Sequence, residues 1–546
     1  MMEKKKMIGR RAFLAGAFGV AVTQLNVRAF AQVNEKLSTD FVSVNAPDGA
    51  VRGVAYPNYN VFKGIPFAQP PVGALRFRQA VPMPRSSGVR SASSFGPAPM
   101  QERRSLPGTR LPMLGDAKCS EDCLYLNVWA PREAGPHPVF VWIYGGGNTF
   151  GATSQAIYDG SAFARDGVVC VTIGYRIGAF GFLELGEILG GEYQGSGNNP
   201  LHDQILGLQW VRNNIAAFGG DPDRVTVAGE SAGAKNVSAL LSIPAARGLF
   251  QSAIVQSGGG HTVHNLDEAH GVADLFMGEF AKAGLRREDL LRVGSDDLLK
   301  VQTATVAAYP RAFAFRSVVD GKTMLQRPID SVTAGYGKDV RLLIGTNRDE
   351  SVLFFPQDLV ESHNSDPKAD RPISSKELAN IKLDTLSLIA DKYAHAFPAL
   401  SPFERRVRLV TAEEYWIPTV RLAEAHAASG GETYAFRFER PIAEGRYAGL
   451  VPHTSELPLV WDNFQDPAFR DLFYRGASAP EAFAKQVHSA WVSFIKGSPP
   501  AAEGLPTWQR YETTGSESRR TMLLQDQPVM VSDPSSNERQ IWNGVM

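Results

Sequence analysis

The 546 residues carry 56 basic and 56 acidic side chains, with 44% apolar and 21% charged residues and three cysteines. This balance is ordinary for a globular chain and lacks the basic excess of a nucleic-acid binder. The length suffices to bury a large core without metal support, and no Cys/His spacing suggests zinc.

The chain starts with Lys4-Lys5-Lys6 and Arg10-Arg11, followed by a short apolar run from Ala12 to Val22 and the small-x-small sequence Ala29-Phe30-Ala31. This is the pattern of a cleavable leader, and Arg10-Arg11-Ala12-Phe13-Leu14 resembles a twin-arginine export signal. The expectation is a leader over 1–31 and a mature chain over 32–546, delivered by the twin-arginine machinery to the bacterial periplasm or beyond. The apolar run is too short for a stable membrane anchor, and no later segment approaches spanning length. Removing residues 1–31 takes away six basic residues and one acid, leaving 50 basic and 55 acidic residues and a net charge of −5. Neither nucleic acid nor an anionic membrane is expected as a partner. Nothing in the sequence specifies an oligomeric state.

Cys119 and Cys123 are close enough for a small-loop disulfide in an oxidising compartment, with two free thiols as the equal alternative. Cys170, inside Val168-Val169-Cys170-Val171, reads as a buried core thiol. Two stretches read as exposed loops: Gly96 to Asp116, rich in Pro, Gly and Arg, and the polar Pro356 to Ser375.

Buried strands are expected at Val139–Tyr144, ending in three glycines, and at Val168–Ile173. A helical pattern follows, with Ile205, Leu208, Val211 and Ile215 on one face. Further strands are expected at Val225–Ala228, Ser252–Ser257, Val340–Gly345 and Thr433–Phe438, with helical patterns over 268–306 and 481–496. Strands alternating with helices imply an α/β fold around a mostly parallel sheet, in one catalytic domain with long surface excursions.

Gly229-Glu230-Ser231-Ala232-Gly233 lies between an expected strand and a helix rich in small residues. A glycine-flanked serine at such a turn is a nucleophile elbow, which lifts its hydroxyl clear of the sheet. The serine needs a base and an orienting acid, in the chain order Ser, acid, His. His453 follows the last expected strand in an irregular Gly-Pro loop, where a catalytic base belongs. His261, after Gly258-Gly259-Gly260, is its chief rival. His426 and His488 sit within helical patterns and read as structural, and His363 and His395 as surface residues. Either Asp349 or Glu350 fits the acid, since both closely follow a strand's carboxyl end. Gly145-Gly146-Gly147 and Ala232 offer backbone N–H groups to a developing oxyanion.

Other segments extend this pattern along nearly the whole mature chain. They are Phe62-Lys63-Gly64-Ile65-Pro66, Pro70-Pro71-Val72-Gly73, Ser120 to Val128, Asp203-Gln204 and Phe218-Gly219-Gly220-Asp221-Pro222. In series with the elbow, they resemble the type-B carboxylesterases, the family of cholinesterases and bacterial para-nitrobenzyl esterases. The resemblance implies an α/β-hydrolase fold and no metal or organic cofactor. It also implies Ser231 as nucleophile, Glu350 as acid, His453 as base, Gly146, Gly147 and Ala232 as the oxyanion hole, and Glu230 and Ser257 as supporting groups.

The sequence departs from the family at three points. Phe95-Gly96-Pro97-Ala98 is followed by Pro99 and Met100, so the usual disulfide partner of Cys123 is absent. Asn148 stands where an aromatic residue is common, which argues against a purely apolar acyl pocket. Pro200 replaces a usual glycine. No counterpart of the choline-binding aromatic is present. The expected activity is therefore hydrolysis of a small-molecule carboxylic ester other than a choline ester. The alternatives are amide, carbamate or lactone hydrolysis by the same triad, or a non-catalytic binding protein on this scaffold.

Overall fold

In the middle of the sheet, strands pair in parallel because helical segments return the chain between them. The computed structural model describes residues 40–105, 113–365, 371–464, 466–474 and 480–546. The expected leader over 1–31 lies outside these residues, and Thr39–Met546 form one compact unit.

Twelve strands follow one another across the sheet. They are β1 (Phe41–Ala46), β2 (Gly49–Ala55), β3 (Tyr59–Pro66), β4 (Tyr125–Pro131), β5 (His137–Ile143), β6 (Val169–Ile173), β7 (Gly220–Glu230), β8 (Ser252–Gln256), β9 (Arg341–Asn347), β10 (Thr433–Phe438), β11 (Arg520–Leu524) and β12 (Val529–Ser532). The spatial order is β1-β2-β3-β4-β6-β5-β7-β8-β9-β10-β11-β12, with the short strand Arg90–Ser91 beside β2. Pairing from β6 through β11 is parallel, and the two flanks are antiparallel. The central strands are apolar on both faces because helices cover both sides. In β5, Val139, Phe140, Val141, Trp142 and Ile143 are all fully buried.

The helices that shape the site and its surroundings are α1 (Asn199–Asn214), α2 (Ala232–Leu240), α3 (Leu266–Lys282), α4 (Ser295–Ala308), α5 (Pro328–Thr333), α6 (Gln357–Ser365), α7 (Leu383–Ala396), α8 (Pro402–Thr411), α9 (Ile417–Ala428) and α10 (Glu481–Ile495). Pro200 sits in the first turn of α1, where a missing N–H costs nothing. His426 and His488 are buried structural residues of α9 and α10, as expected. His426 bonds Thr433 Oγ1 and the Gly337 carbonyl, and His488 bonds the Val460 carbonyl. His395 is exposed, whereas His363 is half-buried and stacks on Phe403.

Both expected loops differ from their reading. Within Pro356–Ser375 the chain forms α6, which buries Leu359 and Val360. Gln357, Asp358 and Glu361 of this helix are exposed, and its polar composition conceals the two buried apolar residues. In Gly96–Asp116, residues 106–112 lie outside the described residues, but Ala98, Met100 and Leu114 on either side are buried. All three cysteines are free; Cys123 and Cys170 are buried and Cys119 is half-buried. Burial raises the Cys123 and Cys170 thiols well above their ordinary range, so they stay protonated.

Strand register sets the geometry of the site. Glu230 pairs with Gln256, and Gln256 with Gly345. The residues leaving β7, β8 and β9 therefore emerge side by side at the carboxyl edge of the sheet, where open α/β sheets place their sites.

Candidate active site

Ser231 is the single residue between β7 and α2. It has φ 57° and ψ −124°, a conformation disfavoured for a non-glycine residue and typical of a nucleophile elbow. Its N–H donates to the Gln256 carbonyl at 2.9 Å, and its carbonyl accepts the Lys235 N–H at 3.0 Å. The turn closes only because Gly233 lacks a side chain: a Cβ there would lie 2.0 Å from the Ile143 carbonyl oxygen.

Glu350 begins a 3₁₀ turn just beyond β9 and is fully buried. Its Oε1 accepts the Asn347 N–H at 2.7 Å and the Ser257 hydroxyl at 2.5 Å, while its Oε2 lies 2.6 Å from His453 Nδ1. These contacts separate the two acids left open by the sequence. Asp349 instead pairs with Arg348 at 2.7 Å and accepts the Val451 N–H at 2.9 Å, securing the loop that carries His453.

His453 is 2% exposed. Its Nε2 lies 3.0 Å from Glu230 Oε1, but the contact is not aligned as a hydrogen bond, and among the described residues Nε2 has no hydrogen-bond partner. Burial alone would lower the imidazole; the carboxylates of Glu230 and Glu350 outweigh it and raise His453 from 6.5 to about 9. Burial pushes the Glu230 carboxyl up to about 8, against the pull of the His453 charge. Glu230, expected as a supporting group, thus touches the imidazole directly. The Ser257 hydroxyl donates to Glu350 and does not reach the imidazole.

The glycines after β5 wrap the other side of Ser231. A Cβ on Gly145 would lie 2.9 Å from the Ser231 Cβ, so this backbone packs directly on the serine. The N–H groups of Gly146, Gly147 and Ala232 find no acceptor among the described residues. Asn148, at φ 59°, holds the next turn: it is buried, its Nδ2 donates to the Phe315 carbonyl at 3.0 Å, and its own carbonyl accepts the Gly178 N–H at 2.6 Å. The departure from the family at this position therefore anchors backbone.

Several contributors are not apparent from the sequence. Glu456 accepts from Gln256 Nε2 at 3.1 Å and from Asn347 Nδ2 at 2.6 Å, and Trp491 Nε1 donates to Gln256 Oε1 at 3.0 Å. This buried network ties β8, β9 and α10 behind the triad residues. The rings of Tyr415 and Phe354 lie 4.8 and 5.2 Å from the His453 ring, and Phe313 covers Gly147. Tyr415 comes from a π-helical turn, Ala412–Trp416, an insertion often found at functional sites. The one available signal was the position of Glu456 three residues after His453. His261 lines a separate cleft bordered by α5 and α9 and makes no contact with Ser231 or Glu350. Among the described residues, no group of three or more His, Cys, Asp or Glu could hold a metal ion.

A serine lifted over the carboxyl edge of a mostly parallel sheet, followed in the chain by a carboxylate and then a histidine, defines an α/β-hydrolase. Comparison with known proteins narrows the class. The Carboxylesterase family profile matches residues 40–542, and the chain belongs to that family. It is 35% identical over 502 residues to the para-nitrobenzyl esterase of Bacillus subtilis (strain 168), covering 90% of this chain and 96% of the relative. It is 33% identical to the phenmedipham hydrolase of Pseudarthrobacter oxydans over 85% of this chain and 91% of that one. Similar solved structures include a PNB esterase (TM-score 0.76, 33% identity, covering 91% of this chain and 99% of that one). A carboxylesterase of Geobacillus stearothermophilus aligns with TM-score 0.75 and 33% identity, over 92% of this chain and 99% of its own. The chain is a serine carboxylesterase, and its reaction is ester hydrolysis.

Proposed function

We propose that Ser231 attacks the ester carbonyl while its proton passes to His453 Nε2. The N–H groups of Gly146, Gly147 and Ala232 take the resulting oxyanion, and loss of one such donor would cost about 2.7–4 kcal/mol of barrier stabilisation. As the carbonyl re-forms, the C–O bond to the alcohol breaks and His453 protonates the leaving oxygen. Water, deprotonated by the same histidine, then attacks the acyl-enzyme, releasing the carboxylic acid and restoring the Ser231 hydroxyl. Glu350 holds the Nδ1–H tautomer and stabilises the imidazolium. Glu230 holds the protonated imidazole away from Ser231, which is engaged once His453 is neutral.

The observations that carry this reading are the relay Ser257–Glu350–His453 and, at the same edge of the sheet, a serine held at a strained elbow, with the N–H groups of Gly146, Gly147 and Ala232 unpaired among the described residues. The rings of Phe313, Phe354 and Tyr415 around the site favour esters with apolar or aromatic groups over charged ones. The name of one relative, para-nitrobenzyl esterase, supports an ester with an aromatic group as substrate. Export of the mature chain through the twin-arginine route, to the periplasm or outside the cell, is part of the same proposal and rests on Arg10-Arg11 and the run that follows. Replacing both arginines by lysine should retain the protein in the cytoplasm, as read by cell fractionation.

The catalytic assignment is tested with 4-nitrophenyl butyrate, comparing wild type with Ser231→Ala. Turnover should vanish in the variant. Equal rates would remove Ser231 from the reaction.

A further inference from the structure

Away from Ser231, a cleft of about 810 Å³ opens between α5, α9 and the segment 311–316, with Val545 and Met546 on its rim. Its described lining holds six guanidinium groups and three side-chain carboxylates. Most of the charges are already matched. Arg327 grips Asp330 with two bonds of 2.7 and 2.9 Å, and Glu424 is shared by Arg421 and Arg519 at 2.8 and 2.7 Å. Arg539 pairs with Asp533. Glu268 caps the Asn265 N–H and faces His264 at 3.7 Å.

Two guanidinium groups make no ion pair with a carboxylate among the described residues. Arg316 is 4% exposed and donates only to the carbonyls of Phe313 and Ala312, at 2.8 and 2.5 Å. Arg311 donates to the Ala379 carbonyl, and its Nε is buried without an acceptor. His261 lines the same cleft, and its Nδ1 is likewise buried without a partner. A buried guanidinium N–H without an acceptor is costly, and it is a vacancy that an anionic oxygen fills.

The electrostatics point the same way. Burial first, then the charges of Arg327 and Arg421, lower His261 to about 4, with Asp330 only partly opposing them. Burial, with a contribution from the neighbouring Arg311, also lowers Arg316 despite the carboxylates of Glu413 and Glu414. Burial keeps the imidazole neutral, and the six guanidinium groups, outnumbering the carboxylate side chains of the lining, give the cleft a positive potential.

We propose that this cleft is a binding site for a small multiply charged oxyanion bearing phosphate or carboxylate groups. Arg311 and Arg316 act as its charged donors, and His261 lends a ring N–H. The site is separate from Ser231 and independent of the assignment of the catalytic residues.

Calorimetric titration of the mature protein with pyrophosphate and with citrate, beside acetate at matched ionic strength, tests the proposal. One-site binding of pyrophosphate, citrate or both, absent with acetate, is expected. Preference between the two distinguishes a phosphate from a carboxylate ligand. Arg311→Gln, which keeps an amide donor for the Ala379 carbonyl, should weaken binding about tenfold or more, the worth of a charged hydrogen bond. In wild type, independently of any variant, the bound anion should move the His261 ring resonance and raise its titration midpoint. No binding, binding unaffected by Arg311→Gln, or a His261 resonance indifferent to the ligand would each overturn the proposal.

Discussion

Replacing Glu230 with glutamine should move the acid limb of the pH–rate profile to lower pH. His453 acts as a base only when neutral, so kcat/KM rises with pH through the imidazole's pKa. Two carboxylates hold that pKa up, Glu230 at 3.0 Å from Nε2 and Glu350 at 2.6 Å from Nδ1, and together they outweigh burial to reach about 9. A neighbouring opposite charge at this distance is worth about 1–3 pKa units. The Glu230→Gln variant retains Glu350 and removes the carboxyl whose charge is coupled to that of His453, so the limb should fall by about one unit. The assay is kcat/KM for 4-nitrophenyl butyrate between pH 5 and 10, corrected for spontaneous hydrolysis. The limb position is read relative to each enzyme's own alkaline plateau, which removes any common loss of rate. The limb reports the titration of the Glu230–His453 pair as a unit. A Glu230→Gln limb that coincides with wild type, or moves to higher pH, would refute the electrostatic reasoning.

Two further outcomes follow from the same geometry. Glu350→Gln should lower kcat by about 10⁴, the cost of presenting the wrong histidine tautomer, while Asp349→Asn, which touches Arg348 and Val451 but not His453, should cost far less; steady-state kinetics of the two variants separates them. Gly233→Ala brings a Cβ to 2.0 Å from a backbone oxygen and should destabilise by about 1–3 kcal/mol or more in urea unfolding, whereas Gly271→Ala, exposed in the middle of α3 with no atom nearby, should stabilise by about 0.5–1 kcal/mol.

The parts of this structure legible in the sequence are those governed by local chemistry. The strand Thr433–Phe438 is found with the expected bounds, because Tyr434, Phe436 and Phe438 alternate along one face and the chain then runs into Glu439-Arg440-Pro441. The elbow is legible because only glycine fits at Gly233. Local pattern does not separate Asp349 from Glu350. Both follow β9 closely, and the 3₁₀ turn beginning at Glu350 decides which carboxylate turns to His453. The network of Gln256, Asn347, Glu456 and Trp491 joins residues up to 235 positions apart, and no sequence spacing encodes it. The amino-terminal strands β1 and β2 are not legible in the sequence: half-buried antiparallel strands near a sheet edge have mixed patterning, and Phe41 is itself 61% exposed. The role of Glu230 in contact with the imidazole, rather than behind it, depends on how the strained turn at Ser231 rotates its neighbour.

The most direct test of the catalytic assignment is reaction of the mature protein with a fluorophosphonate, followed by peptide mapping. A single stoichiometric adduct on Ser231, formed in step with loss of esterase activity and absent from Ser231→Ala, is the predicted result. Full inhibition with the adduct on another residue, or an enzyme still active once Ser231 is fully modified, would contradict it.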